Sequence, residues 1–158
     1  MILLRYVVAS VVATFLCGAS LTSFAVDGLI TIPSAHSAAT TMDMFEAAAK
    51  KRGFMVFTRL DHAAAAESVG LKMPGATVIV FGNPRLGTPV FIKTPTVAID
   101  LPLKAMVWED GSGKVFLSYN SAEYLYDTIY VRHGAAYDKA VVAKVDGVLS
   151  AIAGEATK

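Results

Sequence analysis

Nine side chains in this sequence combine acidic, basic and hydrogen-bonding chemistry and stand where strand-like runs end. Asp61 and His62 follow one such run and Asn83 follows another. Asp100 precedes Leu101-Pro102-Leu103, Ser118, Tyr119 and Asn120 close a third run, and Arg132-His133 precede the last helical stretch. Strand ends of one small sheet can meet in space. Gathered together, these groups would bind a polar ligand or move a proton, with His62 or His133 as base and Asp61 or Asp100 setting its tautomer.

Each residue also has a purely structural reading. Asp61 would cap a helix that starts after it. Asn83 in Gly82-Asn83-Pro84 suits a turn, and Arg132 with Asp100 would make a structural ion pair. Trp108 and Phe116 read as core rather than as stacking platforms. Both readings stay open at this level, and no catalytic residue or cofactor is assigned.

Common catalytic signals are missing. There is no G-x-S-x-G elbow, H-E-x-x-H, P-loop or C-x-x-C-H. A covalent hydrolytic route therefore has no conventional nucleophile motif. The stretch Gly82 to Gly87 lacks the middle glycine of a dinucleotide loop and contains Pro84. His36, His62 and His133 lack helical i, i+4 spacing, so no metal site is expected.

The elements that must position these groups follow from periodicity and punctuation. Asp27 to Pro33 reads as a strand, and Ala38 to Arg52 as a helix. Its apolar face is Ala38, Thr41, Met42, Phe45, Ala48 and Ala49, and Gly53 stops it. Phe54 to Leu60 is a second strand, Ala63 to Gly70 a short helix, and Thr77 to Phe81 a third, central strand. Thr88 as N-cap with Pro89 at the first position predicts a short helix ended by Pro95. Leu103 to Trp108 and Val115 to Tyr119 form a hairpin around Glu109 to Gly113. Ser121 to Gly134 reads as irregular with a helical turn. A last helix over Ala136 to Ala151 turns Tyr137, Val141, Val145, Val148, Leu149 and Ile152 inward. Helices collected on one face of an antiparallel sheet make an α+β domain.

The first 25 residues have the layout of a secretory signal: Arg5, an apolar run from Tyr6, and small residues up to Ser23-Phe24-Ala25. Cleavage is expected after Ala25, giving a single domain over residues 26–158 that is exported to the periplasm with no remaining membrane span. Retention as an anchor is the rival, because Tyr6 to Ala25 is about the 20 residues that span a bilayer. A lipoprotein at Cys17 is disfavoured by the bulky Leu16 before it. Cleavage removes the only Cys and also Arg5, taking Lys+Arg from 14 to 13 against 13 Asp+Glu. The mature chain would then carry no disulfide, no thiolate and no formal net charge, which argues against nucleic acid as a partner.

Five ordered motifs resemble the bacterial family called "domain of unknown function 302". They are Phe57-Thr58-Arg59-Leu60-Asp61-His62-Ala63, Val80-Phe81-Gly82-Asn83-Pro84, Gly87-Thr88-Pro89, Asp100-Leu101-Pro102-Leu103 and Val107-Trp108-Glu109-Asp110. Arg132-His133-Gly134 resembles the closing motif. The resemblance implies a TATA-binding-protein-like order of strand, helix, four strands and helix, and a homodimer. It does not imply DNA binding, because fold does not fix function. It maps the family's motif residues onto Asp61, His62, Asn83, Thr88, Asp100, Arg132 and His133, which become the candidates for binding a small molecule. Three functions are consistent with this: a ligand-binding or sensing module, a His/Asp acid-base enzyme, or a dimeric interaction protein without a pocket. In the first, a pocket between helix and sheet or at the dimer interface would be walled by Phe81, Val107 and Trp108, with Asp61 and His62 orienting the ligand.

Overall fold

The computed structural model describes residues 27–158, so the export segment and the Ala25 cleavage point lie outside the described residues. Five strands form one antiparallel sheet: β1 (Leu29–Pro33), β2 (Met55–Asp61), β3 (Ala76–Gly82), β4 (Leu103–Glu109) and β5 (Val115–Asn120). Their order across the sheet is β1-β5-β4-β3-β2. Helices α1 (Ala38–Lys51) and α4 (Lys139–Thr157) pack side by side on one face. Strand, helix, four strands and helix is the expected α+β frame. Two short helices, α2 (His62–Ser68) and α3 (Pro84–Lys93), interrupt it between strands.

Alternation explains the two faces. Ile79 and Phe81 of β3, Ala105 and Val107 of β4, and Leu117 and Tyr119 of β5 all point at the helices and are buried. They meet Met42, Phe45, Ala48 and Ala49 of α1, and Leu149, Ile152, Ala153 and Ala156 of α4. Phe81 is central: its ring lies edge-on to Phe45 at 5.2 Å and to Phe54 at 5.5 Å. A fully buried Phe contributes about 2–3 kcal/mol from area alone. Phe81 and Val107 are therefore core residues, not the pocket walls expected of them.

Helix α1 begins where Ser37 accepts from the Thr40 amide and ends with Lys50 and Lys51 in its last turn. Gly53 follows at φ +78°, as its stop position requires. Arg59 of β2 reaches up to α1, bonding Asp43 at 2.7 Å and Glu46 at 2.6 Å.

Three elements differ from expectation. Helix α3 starts at Pro84, not near Thr88. Asn83 Oδ1 accepts from the Arg85 amide at 3.0 Å, and Pro84 takes the first helical position, where its missing N–H costs nothing. Thr88 is thus an exposed residue inside the helix and not its cap. The span from Ser121 to Gly134 is helical rather than irregular, with a π-helix over Tyr124–Tyr130. Its Leu125, Tyr126, Ile129 and Tyr130 are buried against Val97, forming a second core at one end of the sheet. Finally, α4 begins later and ends later than its periodicity suggests. Asp138 caps it by accepting from the Ala140 amide, and Ala153, Ala156 and Thr157 continue its buried stripe.

Candidate functional site

Antiparallel pairing divides the polar strand ends into two groups. Asp61 pairs with Thr77, and Thr77 with Val107, at one end of the sheet. Met55 pairs with Gly82, and Phe81 with Leu103, at the other. Asn83 and Asp100 follow and precede that second end. At roughly 3.4 Å per residue, the two ends are about 17 Å apart. Asp61 and His62 therefore do not join the other candidates. Asp61 instead caps α2, accepting from the Ala64 amide at 2.9 Å, and His62 is exposed beside it.

Asp100, Arg132 and His133 do come together. A 3₁₀-helix, Pro95–Ile99, delivers Asp100 as its C-cap. Gly134, at φ +66°, ends the helical stretch that carries Arg132 and His133. His133 Nε2 lies 2.7 Å from Asp100 Oδ2, and Arg132 Nη1 donates to the same oxygen at 3.2 Å. On the other side of the ring, His133 Nδ1 lies 3.1 Å from Thr96 Oγ1. The imidazole is 9% exposed, whereas the Arg132 side chain is 66% exposed. The hydrogen bond with His133 holds the Asp100 carboxyl below its usual range, and the charges of Arg132, His133 and Lys104 act in the same direction. Thr96 escaped sequence reasoning because a threonine behind a proline has no chemical signature of its own.

Asn83 lies at the same end of the sheet, but its side chain is engaged in capping α3. The strand-five residues separate by face. Tyr119 is buried in the helix-side core, with its hydroxyl pKa raised by that burial. Ser118 points to the opposite face, bonding Thr31 Oγ1 at 2.8 Å and accepting from the Trp108 indole at 2.9 Å. His36 is held elsewhere, 2.7 Å from the Lys158 carbonyl. Among the described residues, no three His, Cys, Asp or Glu side chains gather as a metal site would require.

The sheet face turned away from α1 and α4 holds a shallow groove of about 480 Å³. Trp108 and Phe116 stack across it at 4.8 Å, tilted by only 24°. Leu29, Val78 and Met106 extend the apolar floor, and Lys104, Asp110 and Asn120 bring polar groups to it. Trp108 is therefore a groove residue as well as a packing residue. Lys104 Nζ is anchored by the carbonyls of Asp100 and Pro102 at 3.0 and 3.2 Å, which ties the groove's basic group to the segment carrying Asp100. On the same face, edge strand β2 exposes Met55 and Leu60, each about half accessible.

Fold and motif order define a small α+β domain. The family model described as "Domain of unknown function DUF302" matches residues 30–152, and the chain belongs to that family. A crystal structure of an uncharacterized conserved DUF302 protein from Bacillus stearothermophilus has the same fold, with TM-score 0.68 and 18% identity. That match covers 82% of this chain and 98% of that one. Among curated proteins, "Fluoride-specific ion channel FluC 1" of Brucella suis is 44% identical over 122 residues, 76% of this chain and 46% of that protein. The protein called "Fluoride-specific ion channel FluC 2" in Brucella melitensis is also 44% identical, with 44% of its length covered. The chain thus spans less than half the length of these relatives. Among the described residues, no helix is long and apolar enough to cross a membrane.

Proposed function

We propose that the chain is an exported periplasmic binding or sensing module that holds a small ligand on the open sheet face. The supporting observation is the groove, whose volume falls in the range of small-molecule sites. Its chemistry describes the occupant. The stacked Trp108–Phe116 pair fits a flat or aliphatic body, and the Lys104 ammonium beside the Asn120 amide fits an acidic group. A groove this open leaves much of a ligand in water. A second copy of the chain placed face to face would close it, and the exposed Met55 and Leu60 supply apolar area for such a homodimer.

Native mass spectrometry of protein taken from the periplasmic fraction tests the binding. A retained small-molecule mass, and a thermal shift that Lys104→Glu abolishes, are the expected results. No retained mass and no shift across a metabolite library would reject it. Sedimentation should show a dimer that Leu60→Glu converts to monomer, and a wild-type monomer would reject the assembly. N-terminal sequencing should begin at Val26. An intact Met1 would favour the anchored form.

A second reading rests on the Brucella relatives, where a matching segment belongs to proteins called fluoride-specific ion channels. In this reading the domain is an interaction module that docks on a channel. Co-purification of a membrane protein with the tagged chain, together with fluoride sensitivity on gene deletion, is the expected outcome. Unchanged fluoride tolerance with no membrane partner would reject it.

A further inference from the structure

We infer that Thr96, His133 and Asp100 form a hydroxyl-activating relay able to cleave a small ester by acyl transfer. The inference is independent of the groove, because none of the three residues lines it. The direction of the relay follows from donor and acceptor chemistry. An ionised carboxylate only accepts, so the 2.7 Å contact between Asp100 Oδ2 and His133 Nε2 places the ring proton on Nε2. When the ring carries only that proton its lone pair is on Nδ1, which faces Thr96 Oγ1 at 3.1 Å, and the hydroxyl donates to it. A nucleophile, a base within hydrogen-bond reach and a carboxylate orienting that base are the three parts of such a relay.

Burial divides these roles sensibly. The imidazole is 9% exposed and Asp100 is 25% exposed, so the base is held in one orientation. Thr96, in contrast, is open to solvent, where a substrate carbonyl can reach it. Arg132 donates to the same carboxylate oxygen at 3.2 Å. Ile99 and Val131, the chain neighbours of Asp100 and Arg132, are 78% and 60% exposed. Apolar surface there suits a short acyl chain.

The chemistry balances without a co-reactant other than water. Thr96 Oγ1 attacks the ester carbonyl carbon and passes its proton to His133 Nδ1. The ester C–O bond breaks, and the leaving alkoxide takes that proton to depart as an alcohol. Water then gives a proton to Nδ1 and attacks the acyl carbon. The bond to Thr96 Oγ1 breaks, the hydroxyl recovers its proton, and a carboxylic acid leaves.

A fluorophosphonate probe on the mature protein tests the relay, read by intact mass and peptide mapping. The expected result is one phosphonyl group on Thr96, formed as fluoride departs, together with turnover of p-nitrophenyl butyrate. Thr96→Ala should abolish both, and Thr96→Ser should retain them. Asp100→Asn should slow labelling by about a hundredfold. Thr96 is a surface residue, so Thr96→Ala should melt like wild type even if His133→Gln fails to fold. A wild-type protein unlabelled at Thr96, labelling only elsewhere, or a Thr96→Ala variant with unchanged ester turnover would overturn the inference.

Discussion

His133 and Asp100 are 33 residues apart in the chain and meet at 2.7 Å, joining the turn before β4 to the helical stretch after β5. Arg132 strengthens the same joint from the solvent side. The contact sits over the second core, where Tyr126 and Tyr130 pack at 4.7 Å and burial pushes the Tyr126 hydroxyl pKa up to about 12. It thus fastens one end of the molecule.

Acid should loosen that joint. The Asp100 carboxyl titrates below its ordinary value, first because of His133 and then because of the surrounding positive charges. A depressed folded-state pKa stabilises above the unfolded value of about 3.9, and that contribution is lost as pH falls through the folded value. Asp100→Asn should therefore melt below wild type at pH 6, and the gap should narrow on titration to pH 3. Paired melting curves across that range check it. A gap that stays constant would assign the loss to packing instead.

Phe81→Ala should destabilise the domain by about 3–5 kcal/mol, because the ring is 1% exposed and touches two other aromatics. Urea unfolding should show a lower midpoint with an unchanged slope. A loss of ligand retention at unchanged stability would instead return Phe81 to a pocket wall.

Glycines 28 and 70 both have positive φ, at 74° and 76°, but differ in their surroundings. A Cβ on Gly28 would fall 2.6 Å from the Tyr124 ring, whereas one on Gly70 meets nothing within 4 Å. Gly70→Ala should cost about 1 kcal/mol, from the left-handed backbone alone. Gly28→Ala should cost more, since Tyr124 must also move. Thermal melts of the two variants side by side decide this, and equal losses would contradict the steric argument.

Asn83→Ala should cost about 1 kcal/mol, because it removes the side-chain acceptor at the start of α3. Thr88→Ala, on the exposed surface of that helix, should stay within about 0.5 kcal/mol of wild type. Denaturant midpoints of the pair check where the helix begins. The opposite ranking would restore Thr88 as the cap.

The α3 case illustrates where sequence reasoning falls short. Gly82-Asn83-Pro84 and Thr88-Pro89 both carry cap chemistry, and local pattern alone does not rank them. The structure ranks them because β3 continues to Gly82, and Asn83 is the first residue past it. The π-helix over Tyr124–Tyr130 was hidden for a related reason. Its buried positions, Leu125, Tyr126, Ile129 and Tyr130, serve a core contributed by Val97 and Ala135 on other segments, so their burial depends on packing that lies outside the local window.

By itself the sequence determined what depends on near neighbours. The alternation of β3, β4 and β5, the apolar face of α1, its Gly53 stop and the capping role open to Asp61 are all local, because side-chain period and backbone sterics act over a few residues. The ordered motifs carried the α+β fold and the family. Only the tertiary structure decided which strand ends share a side. Antiparallel pairing puts Asp61 and His62 at one end of the sheet, about 17 Å along the strands from the end that carries Asn83 and Asp100, a separation set by the register of β2 on β3. Chain return through the second core brings His133 to Asp100 and Thr96, a contact no spacing rule encodes. Among the described residues, the same pairing leaves one face of the sheet without a packed helix, and the Trp108–Phe116 groove lies on that face.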